Sequence, residues 1–169
     1  MVDLQGQAAA INGKHGEDLI EDFLSNIGIK VCLYNEIKSY SSDVKKALEI
    51  VYGKNRIVAV KQYPYVKYWG GKGRGDFFIR VPNKEDLVIE IRTQKVRGTT
   101  QEKFPELLRN CREMAKQLDT KNALTVVAGE GMGTDYLNFH IKEQKNNVSG
   151  VYVLKSLLEL HKFIKAYLK

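Results

Sequence analysis

Apolar residues recur along this chain in two rhythms, one helical and one extended. Leu19, Ile20, Phe23, Leu24 and Ile27 form a stripe at helical spacing and predict a first helix from about Gln5 to Ile27, closed by Gly28. Glu17 lies about 20° from Leu24 around that helix, on the margin of the stripe, whereas Asp18 and Asp22 point away from it. A short extended run, IKVCLY, follows at 29–34. Val44, Ala47, Leu48 and Val51 then predict a second helix, N-capped by Ser42 or Asp43 and ended by Gly53.

The middle of the chain is extended. RIVAVKQY (56–63), DFFIRV (76–81) and LVIEIR (87–92) are β-rich runs, and PNKED between the last two predicts a hairpin turn. TQKVRGTT is a polar connection into a helix from about Gln101 to Leu118, whose buried side is Phe104, Leu107, Leu108, Cys111, Ala115 and Leu118. Pro105 is tolerated there because it falls in the first turns. ALTVVA (123–128) is a continuous apolar run of the buried, parallel kind, so residues 86–128 predict a βαβ unit with a right-handed crossover. Residues 129–150 are expected to be loops, VYVL (151–154) a further strand, and Ser156–Glu159 the capping box of a last helix.

Two carboxylates break the apolar middle. Asp76 heads one run and Glu90 sits inside the other, between Ile89 and Ile91. An ionised carboxylate in a half-buried strand costs several kcal/mol unless a positive group compensates it. Two of them on neighbouring strands point to a divalent cation, and a metal held by strand carboxylates points to phosphodiester chemistry. The alternative is that Glu90 faces solvent on an edge strand.

Composition narrows the partners. At 169 residues the chain is expected to be a single domain, and 27 Lys and Arg against 20 Asp and Glu leave a formal net charge of +7. That excess favours an anionic partner, nucleic acid first. Cys32 and Cys111 form no CxxC and read as reduced core thiols of a cytoplasmic protein. The three histidines show no zinc-ligand spacing, and no membrane-length apolar span appears.

The segment KQYPYVKYWGGKGRG interleaves Tyr63, Tyr65, Tyr68 and Trp69 with Lys61, Lys67, Lys72 and Arg74, and runs directly into Asp76. Basic, glycine-rich backbone beside a metal site suits a phosphate track, for which Lys67, Lys72 and Arg74 are the candidates. The alternative is a hairpin with packed tyrosines. No GK[ST] follows, so this is not a Walker loop, and GEGMGT fails the dinucleotide fingerprint at Thr134.

The order of elements, with Asp76 in GRGDFFI and Glu90 in IEIRTQ, resembles the PD-(D/E)xK nuclease superfamily, the fold of most type II restriction endonucleases and many repair nucleases. The resemblance implies an α/β fold with a restriction-endonuclease-like αβββαβ core over about 5–128. Helices would flank its mixed central sheet, and 129–169 would form a C-terminal strand-helix extension. Gly75 stands where the family's proline precedes the Asp, and Glu17 in GKHGEDLI matches a helix glutamate found ahead of the core in many members.

The family's site, carried over by position, assigns Asp76, Glu90 and the Ile91 carbonyl to one or two Mg²⁺ ions, with Mn²⁺ able to substitute and Glu17 acting directly or through water. Gln94 would position a phosphate or water. The motif lysine is Arg92 here, which can neutralise charge but not take a proton. Lys103, on the following helix, is the candidate replacement, its alternative being a solvated first-turn lysine. Lys95 is disfavoured because strand alternation puts it on the other face, although Lys95 and Arg97 remain candidates for phosphate contact. The implied function is Mg²⁺-dependent cleavage of double-stranded DNA, foremost by a homodimeric type II restriction endonuclease. A structure-specific or repair nuclease of junction-resolvase type and a catalytically silent DNA-binding module are the alternatives.

Overall fold

A computed structural model describes residues 13–93, 100–128, 133–147 and 151–169. In chain order the elements are α1 (Gly13–Asn26), β1 (Lys30–Leu33), α2 (Tyr34–Ile37), α3 (Val44–Tyr52), β2 (Val58–Val66), β3 (Lys72–Arg80), β4 (Leu87–Thr93), α4 (Thr100–Gln117), β5 (Asn122–Ala128), α5 (Thr134–Asn147), β6 (Val151–Leu154) and α6 (Leu157–Leu168). The part of the first helix expected before Gly13 lies outside the described residues.

The strands form a six-stranded sheet in the order β1-β2-β3-β4-β5-β6. β1 runs parallel to β2, the hairpins β2–β3 and β3–β4 are antiparallel, and β4, β5 and β6 are parallel. The fold is therefore α/β with a mixed central sheet, as the sequence leads one to expect. Among the described residues no helix is long and apolar enough to cross a membrane.

Strand alternation sorts the core into two layers. Val58, Val60, Phe78, Val88, Ala123 and Val127 face α3, α4 and α5, where Leu48, Leu108, Met114 and Leu137 cover them. Ala59, Phe77, Ile79, Ile89, Leu124 and Val126 face α1 and α6, against Ile20, Leu24, Leu160 and Ile164. Each fully buried Leu, Ile or Phe stabilises the fold by about 1.5–3 kcal/mol, so both layers are required to hold the sheet. At the β3–β4 turn, Asp86 accepts from the Val81 amide at 2.8 Å and pairs with Lys45 at 2.9 Å, fixing the hairpin that carries both candidate carboxylates. Asp43 is the N-cap of α3, accepting from the Lys46 amide at 3.0 Å, and Ser156 caps α6.

Two expectations are corrected. β2 and β3 extend to Val66 and back to Lys72, so the basic aromatic segment is a paired hairpin, with Val66 opposite Lys72 and Tyr63 opposite Gly75. Residues 134–147 form helix α5 rather than a loop. Leu137 is buried there and Tyr136 and Ile141 pack on the α4-side core, but Phe139 is 58% exposed and blurs the apolar stripe that would have announced a helix.

Candidate active site

The β3–β4 ladder pairs Ile79 with Leu87, Phe78 with Val88 and Phe77 with Ile89, and then stops. The next two residues in that register are Asp76 and Glu90, so the strands part where the carboxylates stand. Each carboxylate takes over a bond the ladder gives up. The Asp76 amide donates to Glu90 Oε1 at 3.0 Å, and the Ile91 amide donates to Asp76 Oδ2 at 2.7 Å. Glu90 is only 3% exposed, so it does not face solvent on an edge strand.

Burial dominates the electrostatics. Desolvation pushes Asp76 up to about 6, opposed by the Ile91 amide bond and reinforced by the charge of Glu17. Desolvation and then the neighbouring Asp76 push Glu90 up to about 8, with Arg92 pulling the other way. The compensation available is weak. Arg92 Nη2 stands 3.9 Å from Glu90 Oε2 with its side chain 48% exposed, and its Nη1 donates to the Ile91 carbonyl at 3.2 Å. Two buried carboxylates and that carbonyl form an all-oxygen donor set with excess negative charge, which is the chemistry a hard divalent cation requires. Among the described residues no three His, Cys, Asp or Glu side chains gather closely enough to hold a metal between them, so Glu17 does not complete a three-carboxylate cage.

Glu17 is instead held from β2. Gln62 Nε2 donates to Glu17 Oε2 at 3.0 Å, and Gln62 has a left-handed backbone, with φ at +56°. The β2–β3 register places Gln62 across from Asp76, between the pairs Lys61–Phe77 and Tyr63–Gly75. Consecutive strand side chains ordinarily point to opposite faces. Here Lys61 reaches Glu21 and Gln62 reaches Glu17, both on α1, while Tyr63 turns to α4 and its hydroxyl meets Met114 Sδ at 3.2 Å. The left-handed turn at Gln62 is what breaks the alternation. Nothing in a run reading VAVKQYPYV announces it, which is why Gln62 escapes a reading of the sequence.

The register also explains Gly75. A Cβ there would lie 2.2 Å from Cζ of the fully buried Tyr63 ring, so neither alanine nor the family's proline fits without moving that ring.

A cleft of about 490 Å³ opens from the pair toward α4. Arg92, Lys103, Lys67, Lys72 and Arg74 all line it, so these five sequence candidates converge with Asp76 and Glu90 on one cavity. Tyr65, one of the aromatics of the hairpin segment, also lines it, as do Glu106 and Asn110, which were not anticipated. Gln94, Lys95 and Arg97 lie outside the described residues.

A family model described as a PD-(D/E)XK nuclease superfamily domain matches residues 8–169. Nothing among the curated proteins and nothing among the solved structures matches the chain.

Proposed function

The chain belongs to the PD-(D/E)XK nuclease superfamily, and on that footing we propose that it is a Mg²⁺-dependent DNA endonuclease working at the Asp76–Glu90 pair. The observation that carries this reading is a buried, under-compensated carboxylate pair opening into a cleft lined by five Lys and Arg side chains. Members of the superfamily generally use divalent metals, and here Mg²⁺, or Mn²⁺ in its place, would be held by Asp76, Glu90 and the Ile91 carbonyl. Such a cation supplies Lewis-acid polarisation of the phosphodiester and a more acidic water.

The chain's own residues do the rest. Lys67, Lys72 and Arg74 draw the DNA backbone along the hairpin toward the pair. Arg92 and Lys103 face the phosphate from the strand and helix sides and neutralise charge that develops on it. Lys103 is the group able to move a proton to or from the reacting oxygens, because a guanidinium stays protonated. Gln94 positions phosphate or water, Lys95 and Arg97 add phosphate contacts, and Glu17 acts through Gln62 and through its charge.

In the restriction form of this reading the enzyme cuts double-stranded DNA as a homodimer, since each chain has one Asp76–Glu90 pair and two strands need two. The second form is a structure-specific nuclease of junction-resolvase type, which the exposed aromatics at the β2–β3 tip favour. The test is incubation of plasmid DNA with Mg²⁺ or Mn²⁺, comparing wild type with Asp76→Ala and Glu90→Ala. Cleavage by wild type and loss in both variants is expected. If both variants cut as well as wild type, the site lies elsewhere.

A further inference from the structure

The β2–β3 hairpin continues past the carboxylate pair, and its tip carries the chain's single tryptophan, Trp69. Trp69 is 58% exposed and its neighbour Tyr68 is 43% exposed. Fully covering an aromatic side chain is worth about 1.5–3 kcal/mol, and this hairpin leaves two of them open side by side.

They are held rather than loose. The Trp69 indole N–H donates to Glu106 Oε1 at 3.4 Å, and the Lys67 ammonium stands 5.3 Å from the indole centroid. The indole lies so close over Gly71 that a Cβ there would come within 2.1 Å of it, yet more than half of the side chain stays open to solvent. The Arg109 guanidinium sits 5.5 Å from the Tyr68 ring. Below the tip, α4 grips the backbone. The Val66 amide donates to Gln117 Oε1 at 2.9 Å, and Gln117 Nε2 donates back to the Val66 carbonyl at 2.6 Å. From Lys72, at the base of the tip, Asp76 is four residues along β3, about 13 Å at the rise of a strand. The tip therefore stands a few nucleotides from the candidate cleavage point.

The surroundings say what fits on such a tip. Lys67, Lys72 and Arg74 flank it and suit an anionic partner rather than an apolar protein surface. An exposed aromatic ring gains by stacking a nucleic-acid base, and a base inside a duplex is already stacked on both sides. Only an unpaired or terminal base is free to use it.

We propose that Trp69, assisted by Tyr68, is a base-stacking platform, and that the substrate is DNA with unpaired bases next to the cleavage position, such as a fork or an overhang. The proposal rests on the nuclease reading above and deepens it.

Because Trp69 is the only tryptophan, its intrinsic fluorescence reports on this contact alone. The full chain is titrated in EDTA with a forked duplex and with the same duplex blunt-ended. The fork is expected to quench the emission and the blunt duplex to leave it nearly unchanged. Stacking worth about 1–3 kcal/mol per base makes Trp69→Ala weaken fork binding about tenfold with blunt binding unaltered, while Trp69→Phe retains most of it. Fork binding without quenching, or equal weakening on both DNAs, would overturn the platform. Quenching by neither DNA would also overturn it and leave the tip to a protein partner. Plasmid cleavage with any of those results removes this proposal alone. Absence of both cleavage and DNA binding removes the nuclease reading with it.

Discussion

Asp76 and Glu90 face one another at the point where β3 and β4 separate, and each accepts a backbone amide that the interrupted ladder leaves without its usual partner. The arrangement fixes both carboxylates through backbone amides and concentrates negative charge in a buried place, with Arg92 3.9 Å from Glu90 as a weak counter-charge. In stability terms it is a liability that a bound divalent cation would relieve.

That liability has a defined sign. Glu90 is raised from 4.5 to about 8 and Asp76 from 3.8 to about 6, so the folded chain holds these protons more tightly than the unfolded one. Their contribution to stability is fully present below the ordinary carboxylate range and is lost as pH rises through about 6 and then about 8. The metal-free protein is therefore expected to melt at lower temperature at pH 8.5 than at pH about 5, and Mg²⁺ to restore part of the difference at the higher pH. Glu90→Gln keeps an acceptor for the Asp76 amide without the charge, and should raise stability at pH 8.5 by about 2 kcal/mol, several degrees in Tm. Thermal melts of both proteins across pH check this. A Glu90→Gln variant that melts below wild type at pH 8.5 would refute it.

Gln62 tests whether strain at the site serves the site. Its left-handed backbone at φ +56° costs a non-glycine residue about 1 kcal/mol, and its side chain holds Glu17. Gln62→Gly removes the strain together with the hydrogen bond, so its Tm should stay close to wild type, whereas Gln62→Val, β-branched at the same φ, should lose about 2 kcal/mol or more. Both should need more Mg²⁺ for half-maximal cleavage, because Glu17 loses its anchor. Unchanged Mg²⁺ dependence in Gln62→Gly would make Gln62 a purely structural residue.

The sequence carries most of the frame and half of the site. Alternation is unambiguous in LVIEIR, where Val88 and Glu90 take one face and Leu87, Ile89 and Ile91 the other, so period gives the face of Glu90 but not its burial, which comes from the helix covering that face. Helix α5 is not legible, because Phe139 points outward and Leu137 is its only buried residue among those whose side chains are described. Asp76, Lys103 and the hairpin cations are legible as candidates, but their convergence is not, since it depends on how β2–β3 passes α4. Gln62 is silent in the sequence, and Tyr65 is visible only as one aromatic of the hairpin segment. Gln62 owes its role to a single backbone dihedral, and the parity change which that dihedral creates turns Tyr63, and Tyr65 two residues on, to the α4 side.

The lysine of the family motif is the sharpest remaining question, and the cleft poses it as a choice between two side chains. Arg92 holds the motif position on β4 and Lys103 lines the same cleft from the first turn of α4. If the lysine's work has moved to the helix, Lys103→Ala should lower kcat by about 10²-fold or more with DNA affinity little changed, since one positioned proton-transfer group is worth about that much. Arg92→Ala should weaken charge neutralisation but leave a proton carrier in place. The decisive variant is the double replacement Arg92→Lys with Lys103→Ala, which returns an amine to the strand. Recovery of activity above Lys103→Ala alone, with a pH–rate profile that again shows a basic limb, is expected from the migration. No recovery, together with an Arg92→Lys single variant less active than wild type, would mean that the guanidinium itself is needed and that Lys103 serves only to bind the phosphate.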